Sequence, residues 1–211
     1  MQCSLPRLTA RDESKHLFVD PEKGHGMWPW GHLAVAYLLY TGYTAHRFDR
    51  SPRFVPLVAL AIGSQFPDLI DKPFAWTFGV LPGGRTLSHS LLFVALFLPA
   101  IYAAANRFEF RAAGVAFSIG YLSHLLADIP PSVLTGESAG AAYLLWPVVE
   151  QPPEDPIGGI LDAFLNYYTM GPYEWLQFGL FVGAVLVWYR DGAPGLATVR
   201  ASVRRYIPTR S

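Results

Sequence analysis

From Leu87 to Ala105 the chain runs for 19 residues with nothing more polar than one histidine and two serines. A segment of that length and character is either a core helix or a helix that crosses a bilayer. Four shorter apolar segments accompany it, Leu33 to Ala45, Phe54 to Gly63, Ala112 to Ala127 and Tyr173 to Tyr189, and tight turns carrying Arg47, Arg50 and Arg53 or Arg107, Glu109 and Arg111 break them apart. Composition separates the two options. Charged residues make up 15% of the chain, against roughly 25% in an ordinary soluble domain. The pattern therefore predicts an all-α fold, a polytopic membrane helical bundle of about five spans covering residues 28–190, with a polar tail at 1–27 and a basic tail at 191–211. Trp28 and Trp30 suit a membrane interface and Pro29 suits a first helical turn. No apolar stretch near the amino terminus reads as a signal peptide. Residues 131–172 hold no Lys or Arg, but carry Glu137, Glu150, Glu154, Asp155 and Asp162, and read as lying over the membrane surface.

Sixteen basic residues balance sixteen acidic ones, so no global basic field points to nucleic acid as a partner. Membrane lipids are the expected surroundings, and the arginine-rich carboxyl-terminal tail suits an anionic lipid surface. Oligomeric state is not legible. The only cysteine is Cys3, which excludes an internal disulfide and any thiolate zinc site within one chain. A metal ion here must be held by imidazole and carboxylate.

The element Gly120-Tyr121-Leu122-Ser123-His124-Leu125-Leu126-Ala127-Asp128 places His124 and Asp128 one helical turn apart on one face. Alone, such a pair is most often a simple hydrogen-bonded pair. The other ionisable residues change its weight. His32 begins the first span, Asp68 and Asp71 end the second, His89 begins the third, and His124 with Asp128 end the fourth. Because successive spans reverse direction, this alternation brings all of them to one membrane face. Helix capping accounts for Asp68, Asp71 and Ser88, but neutral histidine is a poor cap and a common metal ligand. His16 and His25 read as tail residues, and His46 falls at the opposite face.

Taken in order, Gly31-His32, Pro67-Asp68-Leu69-Ile70-Asp71, Arg85-Thr86-Leu87-Ser88-His89-Ser90-Leu91-Leu92, the His124 element and Leu144-Leu145-Trp146-Pro147 resemble the YdjM-like family of membrane-bound metal-dependent hydrolases, over roughly residues 28–150. The segment after Asp128 reads Ile129-Pro130-Pro131-Ser132, where relatives tend to have a Thr-Pro step. The resemblance implies a polytopic membrane protein with a His/Asp metal site at His32, Asp68, His89, His124 and Asp128. Three histidines with carboxylates and no thiolate suit zinc first, with manganese or iron as alternatives. Hydrolysis of an ester or phosphoester of an amphiphilic, lipid-like substrate is the expected activity, with Asp71 as acceptor of a proton from water and Arg85 as a clamp for phosphate or developing negative charge. The alternative is a non-catalytic membrane protein whose metal only joins its helices. Ion transport ranks last, because the ionisable residues sit at span ends rather than at mid-membrane.

Orientation follows from the basic residues. Arg47, Arg50, Arg53, Arg107, Arg111, Arg190, Arg200, Arg204, Arg205 and Arg210 fall on one side of the five spans, while Lys72 and Arg85 fall on the other with the amino-terminal tail. Basic loops stay cytoplasmic. The site is therefore expected on the extracytoplasmic side of the cell membrane.

Overall fold

The computed structural model describes residues 26–130, 133, 138–151 and 171–206. It is helical, with no strand among the described residues. The elements are α1 (Pro29–Phe48), α2 (Phe54–Lys72), a short π turn (Pro73–Thr77), α3 (Leu91–Arg107), α4 (Arg111–Ala127), a 3-10 segment (Ser138–Leu145), α5 (Pro172–Arg190) and α6 (Leu196–Tyr206). The five expected apolar segments each map onto one of the five long helices. His16, His25 and the acidic residues Glu137, Glu154, Asp155 and Asp162 lie outside the described residues.

Two boundaries differ from expectation in ways that matter to the site. The third helix starts at Leu91, so His89 lies in the turn before it rather than in its first turn; Ser90 is the N-cap and its hydroxyl accepts the Leu92 amide at 3.2 Å. The second helix runs through Pro67 to Lys72, placing Asp68 and Asp71 on its last turns. Pro67 has no N–H to give to the preceding turn, which loosens the backbone bonding there.

At the centre α4 packs against α2 with backbone touching backbone. A β-carbon on Gly63 would lie 2.3 Å from the Phe117 carbonyl oxygen, and one on Gly120 would lie 2.4 Å from that of Leu60. Small residues that let helices meet this closely are the usual device where lipid removes the hydrophobic drive between helices. α3 covers the next side of α4 through Val94, Leu98, Phe117, Tyr121 and Leu125. α1 joins through Ala36 and Tyr40 against Leu60 and Ala116, and its opposite side takes α5 through Ala34, Tyr37 and Ala184.

Alongside these apolar clusters the interior holds many polar groups, while large apolar side chains lie on the surface. Large apolar side chains such as Leu39, Ile62, Leu96, Leu122 and Leu186 point outward, whereas His32, Asp68, Asp71, His89, His124, Asp128, Glu174 and Gln177 are buried. Large apolar side chains exposed on every long helix suit a membrane or a partner as the surroundings. Among the described residues one helical stretch, Phe54–Thr77, is long and apolar enough by itself to cross a membrane, and Leu91–Arg107 is a shorter apolar helix.

Candidate metal centre

Three segments bring the site together: the last turns of α2, the turn before α3 and the end of α4. The central device is Asp71, which is fully buried. Its Oδ2 accepts the Thr86 amide at 2.8 Å, the His89 amide at 3.3 Å and the His89 Nδ1–H at 2.8 Å, while Oδ1 accepts the Ser88 amide at 2.9 Å. The Ser88 hydroxyl lies 2.7 Å from Oδ1 and 2.9 Å from the Pro67 carbonyl. One carboxylate thus folds the Thr86–His89 turn onto α2. Tyr121 of α4 holds the same turn through its hydroxyl on the Ser88 carbonyl, at 2.5 Å.

With Nδ1 of His89 committed to Asp71, its Nε2 faces the cluster and, in the neutral ring, carries a lone pair. His124 is fixed in the same sense, because its Nδ1 lies 2.7 Å from the Ser64 carbonyl, which can only accept. Its Nε2 is likewise an acceptor. These two nitrogens face each other at 3.2 Å, an arrangement satisfied either by a proton on one of them, donated to the other, or by a metal ion beside both. Two carboxylates surround the pair. Asp128 Oδ2 is 3.5 Å from His89 Nε2 and 3.7 Å from His124 Nε2, and Asp68 Oδ1 is 3.8 and 3.7 Å from the same atoms.

These four residues, all buried, offer ligand atoms within 4.8 Å of one another. In a tetrahedral site with metal–ligand bonds of about 2.0–2.1 Å, ligand atoms lie roughly 3.3 Å apart; the separations that involve the two histidine nitrogens, 3.2–3.8 Å, lie near that value. Asp68 Oδ1 has no hydrogen-bond partner although it is buried. Both histidines also donate their far nitrogen to an oxygen, the arrangement typical of metal-ligating imidazole. The residues fit a divalent metal ion.

His32, expected among the ligands, stands beside this set. Its ring stacks on that of His124 with centroids 3.8 Å apart, and its Nε2 is 3.4 Å from Asp128 Oδ1. Neither ring nitrogen has a hydrogen bond, and no acceptor fixes its tautomer as Asp71 and Ser64 fix those of His89 and His124. Arg85 Nε donates to Asp128 Oδ2 at 2.9 Å, and Lys72 Nζ pairs with Asp68. Burial alone would raise the Asp128 carboxyl; the Arg85 guanidinium beside it outweighs burial and holds the group well below the usual carboxylate range.

Other contributors have weaker signals in the sequence. Tyr143, on the 3-10 segment, is buried, donates its hydroxyl to the Asp128 carbonyl at 3.1 Å and sets its ring edge-on to His89. The Ser90 hydroxyl donates to the Trp146 carbonyl at 2.5 Å. The segment expected to lie over the membrane surface is thus, where described, a cover seated on the site, and the Leu144-Leu145-Trp146-Pro147 element is its mark in the sequence. Gln177 on α5 accepts the Trp28 amide at 2.7 Å; a lone amide in an apolar helix is its only mark.

Fold and site together define an all-helical protein with apolar outer faces and a buried His/Asp cluster able to hold a metal ion. Within that class, the model of the YdjM inner membrane protein family matches residues 27–193, and the chain belongs to that family. No curated protein and no solved structure matches it.

Proposed function

We propose that this chain is a five-span, metal-dependent hydrolase of the membrane, acting on an ester or phosphoester of an amphiphilic substrate. The observation that carries the metal is the face-to-face approach of His89 Nε2 and His124 Nε2 at 3.2 Å between two carboxylates. Asp68, His89, His124 and Asp128 hold the ion, with zinc the first choice for a nitrogen and oxygen set without thiolate, and manganese or iron compatible with it. A bound ion of this kind supplies Lewis acidity, which acidifies water and polarises an ester or phosphoester.

The remaining residues hold this centre in place. Asp71, whose oxygens are taken by the Thr86–His89 turn, orients His89 in this reading instead of receiving a proton from water. Arg85 holds Asp128 and brings positive charge next to the centre, where it favours an anionic group. Tyr143 roofs the site against solvent. The span count rests on five long helices whose outer surfaces are apolar, and the extracytoplasmic placement of the site on the surplus of arginine at the opposite ends of those helices.

A second reading, a structural metal joining α2, α3 and α4, is favoured by one observation: two histidines and two aspartates already make the four ligands of a closed site. Turnover decides. Purified protein is assayed against a panel of phospholipids and lysophospholipids, with and without chelator. Hydrolysis that chelator abolishes and added zinc restores supports the enzyme; full metal occupancy with no turnover of any of them leaves the structural reading standing.

A further inference from the structure

The last helix stands apart from the bundle. α6 begins after the segment matched by the family model has ended at residue 193, and among the described residues none of its side chains enters the apolar clusters that join the long helices. Its sequence, LATVRASVRRY, holds three arginines and no acidic residue. At helical spacing, positions 196, 199 and 203 fall on one narrow side, positions 200 and 204 flank that side, and position 201 lies opposite. The apolar side is open: Val199 and Val203 are 49% and 48% exposed.

The turn before α6 fixes where it starts. Gly192, Ala193 and Gly195 take positive φ, 88°, 48° and 95°, which ends α5 and lets the chain change direction before Leu196. That turn is pinned to the bundle. Asp191 accepts the hydroxyls of Tyr37 and Thr41 on α1, the Trp188 Nε1–H donates to the Pro194 carbonyl at 3.2 Å, and a β-carbon on Gly195 would lie 2.4 Å from the Phe54 ring of α2. α6 thus leaves from the end of the bundle where Arg47, Arg50, Arg53 and Arg190 are exposed. Those stretches also hold Asp49 and Asp191, the latter occupied by the two hydroxyls.

We infer that α6 is a folded interfacial helix that docks on an anionic lipid leaflet, with Leu196, Val199 and Val203 entering the acyl boundary and the positions beside them meeting headgroup phosphates. An acid-free basic helix with one open apolar side is drawn to negative headgroups, and an arginine flanking such a side can lay its stem along it and keep its guanidinium at headgroup level. A second copy of this face is disfavoured as the occupant, because it would bring like charge against like. The inference does not depend on the metal centre or on hydrolysis.

The test uses the full chain in a Cys3→Ser background, with Val203→Cys on the apolar side or Ala201→Cys opposite it, each carrying a nitroxide label. Nanodiscs are made of phosphatidylcholine alone or mixed with phosphatidylglycerol, and collisions with oxygen and with a water-soluble nickel chelate report the depth of each label. In mixed discs the label at 203 is expected in the lipid phase and the label at 201 in water. Arg200→Gln combined with Arg204→Gln is expected to shift the docked-to-free ratio towards free by about fivefold per arginine, with metal content and thermal midpoint as in the parent, and phosphatidylcholine alone is expected to act in the same direction. Both labels in water in the mixed discs would overturn the inference. Equal insertion of the 203 label in the two lipid compositions does so as well, since charge then plays no part. A 203 label shielded from both reagents also overturns it, because protein, a second copy or the bundle itself, then covers the face.

Discussion

Gly120 lies against Leu60 so closely that the α4 and α2 backbones are in contact; a β-carbon there would be 2.4 Å from the Leu60 carbonyl oxygen and 2.9 Å from the Ser64 amide nitrogen. Neither neighbour is a flexible side-chain tip that can move aside. Gly120→Ala is expected to cost about 1–3 kcal/mol and to lower the thermal midpoint in detergent. Gly183→Ala on α5, where nothing lies within 4 Å, is the control and is expected to be neutral or to stabilise by up to roughly 1 kcal/mol. Equal behaviour of the two variants would refute the packing.

Removing a ligand differs from removing its neighbour. His124→Gln and Asp128→Asn are expected to lose bound metal in elemental analysis, whereas His32→Gln, whose ring is stacked beside the set, keeps it. Metal lost equally in all three would place His32 in the coordination shell.

Asp71→Asn leaves the size of the side chain unchanged but replaces one acceptor oxygen by a donor that faces backbone amides and His89. Metal affinity is expected to fall by about 10–100-fold, as when such supporting carboxylates are altered elsewhere, and titration against a competing chelator measures it. Unchanged affinity would show that His89 needs no orienting carboxylate.

Arg85 governs the acid behaviour of Asp128. A carboxyl held below its ordinary value contributes stability that is present above the unfolded value and is lost as pH falls through the folded one. Removing Arg85 raises the folded value, so that loss begins at higher pH. In metal-free protein the acid-unfolding midpoint of Arg85→Ala is expected to move upward relative to the parent, with Arg85→Lys in between; a downward shift would contradict the pairing.

Orientation is open to chemistry on intact cells. In a Cys3→Ser background, Gly140→Cys at an exposed position of the 3-10 segment is expected to react with an impermeant thiol reagent, and Ala201→Cys, exposed on α6, is not. Labelling at 201 alone would invert the topology.

Much of the centre was legible because helical spacing is rigid. His124 and Asp128, four apart, do share a face, and the ends of α2 and α4 with the turn before α3 bring Asp68, His89 and Asp128 together. What periodicity could not show was the division of labour between Asp68 and Asp71. Both are aspartates on the last turns of α2, yet one points an oxygen into the cluster and the other is consumed by the turn that carries His89. That difference arises from a non-local fold of residues 86–89 around a side chain, which has no repeat to betray it. The backbone contact of Gly63 and Gly120 was hidden for a similar reason: a glycine in an apolar helix looks the same whether it faces lipid or another helix. Gln177, far along the chain, had no partner in sequence to mark it as part of the His32 side.

α1 and α5 are clasped near both ends. The Trp28 amide meets Gln177 at one end, and at the other the hydroxyls of Tyr37 and Thr41 both donate to Asp191, at 2.7 and 2.6 Å. The four metal-facing side chains all come from residues 68–128, outside this clasped pair, while His32 belongs to it. The cluster able to hold a metal thus draws its groups from α2, α4 and the turn before α3, whereas His32 and Gln177 come from the clasped pair. His32, stacked on His124 and 3.4 Å from Asp128 Oδ1, is the one ring through which a displacement of that pair would reach the cluster, so changes on α1 and α5 act on the centre through a single side chain.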